Sequence, residues 1–227
     1  MALALQNTLR LCGWRAPAGA LIAIALGTGL ALAQSPGSPS NPSHTVSVEA
    51  GNQYDRGGIW RTLFGNEWRE VWSAPITVPV LDLDTYAGGL TPFKAGGNQT
   101  KTLRLRGADG RTYVFRSTEK YIQKSLPDDL KNTPVGAVAQ DQAAALHPTC
   151  QLVVTVLQDA VGLLHAPPTL VVMPDDPRLG EYRSDFANVL GEIEERPDDA
   201  GKGTPFAKAE KINNADKMLE NLEESMD

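Results

Sequence analysis

The chain has 227 residues and a formal net charge of −6, with 41% hydrophobic and 21% charged residues. That apolar share excludes wholesale disorder, and the acidic balance excludes generic nucleic-acid binding, because phosphate contacts need a surplus of Lys and Arg. No internal apolar run reaches the roughly 20 residues that a membrane helix needs, and no repeat recurs at solenoid periods.

Arg10 and Arg15 precede an uncharged apolar stretch over 18–32, and Ala31-Leu32-Ala33 puts small residues where a signal peptidase reads. This predicts a signal peptide over 1–33 with cleavage before Gln34, and an exported protein, periplasmic or associated with the outer membrane. Loss of Arg10 and Arg15 with the leader moves the charge from −6 to −8. The mature chain then keeps one cysteine, Cys150, so no internal disulfide is available. Leu152, Val153 and Val154 beside it predict a buried thiol.

Residues 34–53 read as a flexible linker, Pro/Ser/Gly-rich up to 43, with Val46, Val48 and Ala50 alternating weakly as a short strand. An α+β domain is expected over 54–197. It begins with Trp60, Phe64, Trp68 and Trp72 at intervals of four, on two short helices hinged at Gly65-Asn66, with Asn66 capping the second. Two readings stand for this stripe. It either packs against its own domain, or it docks on a partner or an outer-membrane barrel with Arg56, Arg61 and Arg69 flanking it.

Residues 76–83 read as a strand with Val78, Val80 and Leu81 inward and Pro79 marking an edge. Residues 85–99, with two Gly-Gly pairs, read as a long mobile loop. Residues 100–106 and 112–117 form a hairpin around Gly107-Ala108-Asp109-Gly110, with Leu103, Leu105, Tyr113 and Phe115 inward. Helices follow over 135–146 and 150–163, the second stopped at Gly162, and then a buried strand over 170–173. Leu179, Tyr182, Phe186, Val189, Leu190 and Ile193 predict an amphipathic helix. Residues 198–203 read as a linker, and 215–224 as a helix capped by Asn214 with Met218, Leu219 and Leu222 on its apolar face. The expected fold class is α+β, a small antiparallel sheet packed with helices, with about five strands and five helices.

Hydrolase, zincin, Cys-x-x-Cys and Walker signatures are absent from the sequence. His44, His147 and His165 are scattered, Asp82 and Asp84 read as a solvated strand end, and Asp175 and Asp176 read as turn residues. One arrangement carries more. A glycine-rich stretch (Gly88, Gly89, Gly96, Gly97) precedes a hairpin whose second strand ends on Arg116. A helix with Asp141 follows, and then a buried strand breaks at Pro174. In a protein-kinase-like small lobe, loop amides cover the nucleotide phosphates, a strand-borne cation holds them and a helix carboxylate orients that cation. Arg116 stands where such lobes usually carry Lys, and the glycines do not match Gly-x-Gly-x-x-Gly.

The segments VPVLDLDTYAGGLTPFKAGGNQTKTLRLRGADGRTYVFRS, QDQAAALHP and HAPPTLVVMPDDPRLGEYRSDFANVLGEIEERP resemble a family of large, mostly uncharacterised bacterial cell-envelope proteins, over residues 54 to about 224. The resemblance implies a kinase-like region that continues past this point into a Gly-Asp-Trp-Asp-Arg-His type loop. In many members a surface-antigen type outer-membrane β-barrel follows, and some carry a metallophosphoesterase domain upstream. It also implies that this chain, with residues 198–227 as a linker and terminal helix, is cut off before the catalytic loop and metal ligands. It would then be no competent enzyme by itself, and ATP with Mg²⁺ is a cofactor only on the kinase-like reading. On that reading Arg116 faces Asp141 near the glycines. The competing reading is a periplasmic interaction module without a nucleotide site, docking through the Trp60 to Trp72 stripe.

Overall fold

The computed structural model describes residues 44–197, 206, 212 and 215–225. The expected leader over 1–33, the Pro/Ser/Gly-rich part of the linker over 34–43, the linker over 198–203 and the cap at Asn214 lie outside the described residues. The chain divides into two units, Met1–Gln34 and Ser35–Asp227, and the second holds all of the described residues.

The fold is α+β, with strands gathered into a two-stranded and a five-stranded sheet. In chain order, β1 (Thr45–Glu49) leads into helices α1 (Gly58–Phe64) and α2 (Arg69–Ser73), then β2 (Pro75–Pro79), β3 (Leu90–Gly96), β4 (Thr102–Gly107) and β5 (Thr112–Ser117). Helices α3 (Asp128–Lys131), α4 (Pro134–Asp141) and α5 (Cys150–Ala160) come next. Strand β6 (Thr169–Val172), helix α6 (Arg183–Phe186), strand β7 (Leu190–Arg196) and helix α7 (Ala215–Glu224) complete it. The small sheet pairs β1 with β2, and the larger one has the order β3-β4-β5-β7-β6, antiparallel throughout. Val80 bridges Val172 in parallel, so the end of β2 meets the outer edge of β6.

The expected hairpin is present, with Arg106 opposite Thr112 and Leu103 opposite Phe115. Strand alternation puts Leu103, Leu105, Tyr113, Phe115 and Ile193 on one face. Leu81 and Leu83 from the loop after β2, with Leu179 and Phe186 from the β6–β7 connection, bury that face as the main core. The opposite face carries an apolar cluster at its β6–β7 end, where Val172 and Leu190 pair across the strands and pack on Val78 of β2, and Val114 of β5 is buried on that face as well. A third cluster joins Tyr54, Trp72, Ala143 and Ala144.

Three expectations are corrected. Residues 85–99 are not one long loop, because Leu90–Gly96 pairs along the whole of β4. Residues 179–193 are not one helix. A 3-10 turn over Pro177–Tyr182 and the single turn α6 end at Asn188, whose φ of 61° breaks the helix, and β7 begins two residues later. Helical spacing of the apolar residues is real there, but sheet pairing with both β5 and β6 gives β7 its backbone hydrogen bonds. The hinge between α1 and α2 falls at Gly65 (φ 88°) as expected, but Asn66 caps nothing. Its Oδ1 accepts from Arg61 at 2.7 Å, and Trp68 (φ 50°) occupies the N-cap position of α2.

Candidate functional site

The four glycines do not form one cradle. Gly88 and Gly89 precede β3, Gly96 is its last residue and Gly97 follows, so six strand residues separate the pairs. The Gly88 N–H donates to Thr85 O at 3.1 Å and the Gly89 N–H to Tyr86 O at 2.9 Å, which commits both amides to their own turn. Gly97 sits at φ 105°, where a side chain would be driven into the Thr100 carbonyl, so its glycine is needed for the tight β3–β4 turn.

Arg116 and Asp141 are not brought together either, and here the expectation is corrected. Arg116 lies on β5 directly opposite Glu192 of β7, and its guanidinium pairs with Glu194 on the same sheet face. Asp141 ends α4 and is buried against α2. It accepts from Arg69 Nη1 at 3.1 Å and Nη2 at 2.6 Å, from Arg56 Nε at 3.1 Å and from Trp60 Nε1 at 2.7 Å. Arg69 is itself buried and also donates to the carbonyls of Gly65 and Tyr54. Asp141 therefore fixes the α1–α2 segment to α4 and does not orient Arg116. Burial, the largest single influence, would raise the Asp141 carboxyl, but the hydrogen bonds from Arg69, Trp60 and Arg56 outweigh it and hold the group below its ordinary value.

The aromatic stripe is mostly an internal device. Trp72 is fully buried, donates from Nε1 to Leu146 O at 2.8 Å and meets Tyr54 edge-on at 4.8 Å between ring centroids. Trp60 serves Asp141, and Phe64, half-buried, stacks on Trp60 at 4.4 Å. Trp68 alone of the four is exposed, edge-on to His147 at 4.7 Å. Of the two readings of the stripe, packing against its own domain describes Trp72, and the docking expectation at Trp60, Phe64 and Trp72 is corrected. The break at Gly65 turns Trp72 inward and leaves Ile59 and Leu63 as the exposed apolar residues of α1.

The surface that sequence reading missed is α5. None of its eleven residues is buried. The stripe half-buried towards the protein is Leu152, Thr155 and Gln158, whereas Val153, Val154, Val156 and Leu157 face outward. Val156 and Leu157 are 65% and 62% exposed, and Val161, Leu163 and Leu164 continue the patch beyond the helix. Cys150, expected to be buried, is exposed at the start of this helix. Helical apolar spacing was legible, but which side faced solvent was not.

On the polar face of the large sheet, Glu192 stands between Arg116 of β5 and Leu170 of β6. Burial first, and then the neighbouring Glu194 charge, push its carboxyl up from 4.5 to about 7. A raised folded value means that the native state holds this proton more tightly than the unfolded chain does. The resulting stabilisation is complete below about pH 4.5 and is lost as pH rises through about 7. Urea denaturation between pH 4.5 and 8 should show this decline in the wild type and a flatter profile in Glu192→Gln.

Among the described residues, no group of three or more His, Cys, Asp or Glu side chains could hold a metal ion. Asp82 accepts from the Asp84 and Thr85 amides, and Asp84 pairs with Arg178, so both carboxylates serve loop structure. No helix among the described residues is long and apolar enough to cross a membrane.

No family model, no curated protein and no solved structure matches the chain.

Proposed function

We propose that this chain is an exported cell-envelope protein, periplasmic or outer-membrane associated, whose described domain is a docking module with α5 as its contact element. The observation that carries the reading is the inverted polarity of α5. A helix that turns Thr155 and Gln158 inward and Val153, Val156 and Leu157 outward leaves large aliphatic surface in water. Burial of such surface stabilises by about 25 cal/mol per Å², so a complementary apolar groove or barrel wall gains from covering it. Trp68, edge-on to His147, and Leu146 are exposed shortly before α5 begins and offer the same kind of surface. Asp159 is the one charged residue within α5, so binding should be nearly insensitive to salt.

A photo-crosslinking amino acid placed at Val156 in cells tests the reading, beside a control at the exposed position Glu181. An adduct of defined mass at 156 alone, lost in a Val153→Asp/Leu157→Asp variant, is the expected result. That variant should melt within about 4 °C of wild type, since each exposed substitution rarely exceeds about 0.5 kcal/mol. Absence of any adduct at 156 in a folded, exported protein would overturn it.

A second reading, a kinase-like amino-terminal lobe without a catalytic loop, draws support from the order of elements. The β4–β5 hairpin, then helices, then the strand β6 that joins the same sheet keep the order expected for such a lobe. The separate engagement of Arg116 and Asp141 weighs against the phosphate-holding pair. A saturable rise in melting temperature with ATP and Mg²⁺, lost in Arg116→Ala, would favour this reading.

A further inference from the structure

Among the described residues, every arginine except Arg104, Arg106 and Arg196 holds a carboxylate. Those three lie on one face of the large sheet. Arg106, Thr112 and Arg196 form a single cross-strand row through β4, β5 and β7, and Arg104 stands two residues from Arg106 on β4. Lys94 of β3 sits directly opposite Arg104 and has no carboxylate partner among the described residues. Directly opposed like charges destabilise a ladder, and of the two β7 carboxylates on this face, Glu192 and Glu194, the second pairs with Arg116. Arg106 is also held in place, its guanidinium 5.4 Å from the centroid of the exposed Phe93 ring. The bulge between Pro92 and Lys94 places that ring there.

From this clustering of unpaired cations we infer a binding site for a phosphate chain on the β3-β4-β5-β7 face, with Lys94, Arg104, Arg106 and Arg196 as its cations. Arg forks suit phosphate oxygens because they donate two parallel hydrogen bonds. Neighbouring strands are about 4.8 Å apart and residues i and i+2 about 7 Å apart, so the four Cα positions span roughly 16 Å from Lys94 to Arg196. One orthophosphate cannot engage all of them, whereas several linked phosphates can. The ligand is therefore a linear polyphosphate group, free or carried on a small molecule. This inference is independent of α5 and of the docking reading.

Calorimetric titration of the full chain with inorganic tripolyphosphate, at low and at physiological salt, tests it beside orthophosphate and phosphatidylglycerol vesicles. The expected result is saturable binding of tripolyphosphate that weakens with salt and falls by about tenfold or more in Arg104→Ala/Arg106→Ala. Relief of the Lys94–Arg104 opposition should leave that variant's melting temperature at or above the wild-type value. Arg196→Ala, near the end of β7, should weaken binding without touching β4, and Lys217→Ala on α7 should leave it unchanged. No saturable binding by the folded wild type, equal binding by the variants, or binding to vesicles without binding to tripolyphosphate would each overturn the inference.

Discussion

Replacing Asp141 with Ala should cost about 3–5 kcal/mol of folding stability, measured by urea denaturation, because it leaves the buried Arg69 guanidinium without its counter-charge. The loss extends beyond one pair, since Arg56 and Trp60 donate to the same carboxylate. Arg69→Met/Asp141→Leu should recover a large part of it, because a buried ion pair replaced by apolar groups of similar volume removes both desolvation penalties. If the single variant lost under about 1 kcal/mol, Asp141 would not be the fastener between α2 and α4 that the structure makes it. The pH dependence has a definite sign. A carboxyl held below its ordinary 3.8 in the folded state stabilises above that value and loses the contribution as pH falls through the lowered one. Acid unfolding of the wild type should contain this component, and Asp141→Ala should lack it.

Trp72→Ala should cost about 3–5 kcal/mol as well, through the cavity left among Tyr54, Ala143 and Ala144. For a chain of this size that corresponds to a drop in melting temperature of roughly 6–20 °C. Trp72→Phe should lose less, chiefly the hydrogen bond to the Leu146 carbonyl, about 1–3 kcal/mol if that oxygen is left unsatisfied. Trp68→Ala, at the exposed end of the stripe, should change stability by less than about 1 kcal/mol. Thermal unfolding of these variants separates a core tryptophan from a surface one within a single motif. Equal losses at 68 and 72 would show that the stripe acts as one face after all.

Both predictions turn on residues that local pattern did not place correctly, and the reason is physical. Helical periodicity shows which residues share a face, but not which face meets the protein. A helix over 150–163 was expected, yet tertiary packing engaged the side of α5 bearing Thr155 and Gln158 and left Val153, Val156 and Leu157 outward. The same ambiguity over 179–193 was settled by β5 and β6, which supply hydrogen-bond partners on both sides of β7. Conversely, the 100–117 hairpin was legible because its turn residues and period-2 alternation are local and agree with each other. Asp141 and Arg116 were both recognised as residues of consequence, but their partners Arg69 and Glu194 lie 72 and 78 positions away in sequence. No motif spacing reports that distance.

By itself, then, the sequence determined the α+β class, the β4–β5 hairpin, the break at Gly65 and the apolar content of α5, all consequences of backbone propensity and short-range periodicity. Tertiary structure alone decided that Asp141 serves Arg69, that Trp72 is core, that α5 shows its valines to water, and that Arg104, Arg106 and Arg196 share one sheet face. Each of these depends on which strands and helices become neighbours. That choice is made by the burial of the whole apolar surface at once, and not by any segment's own pattern.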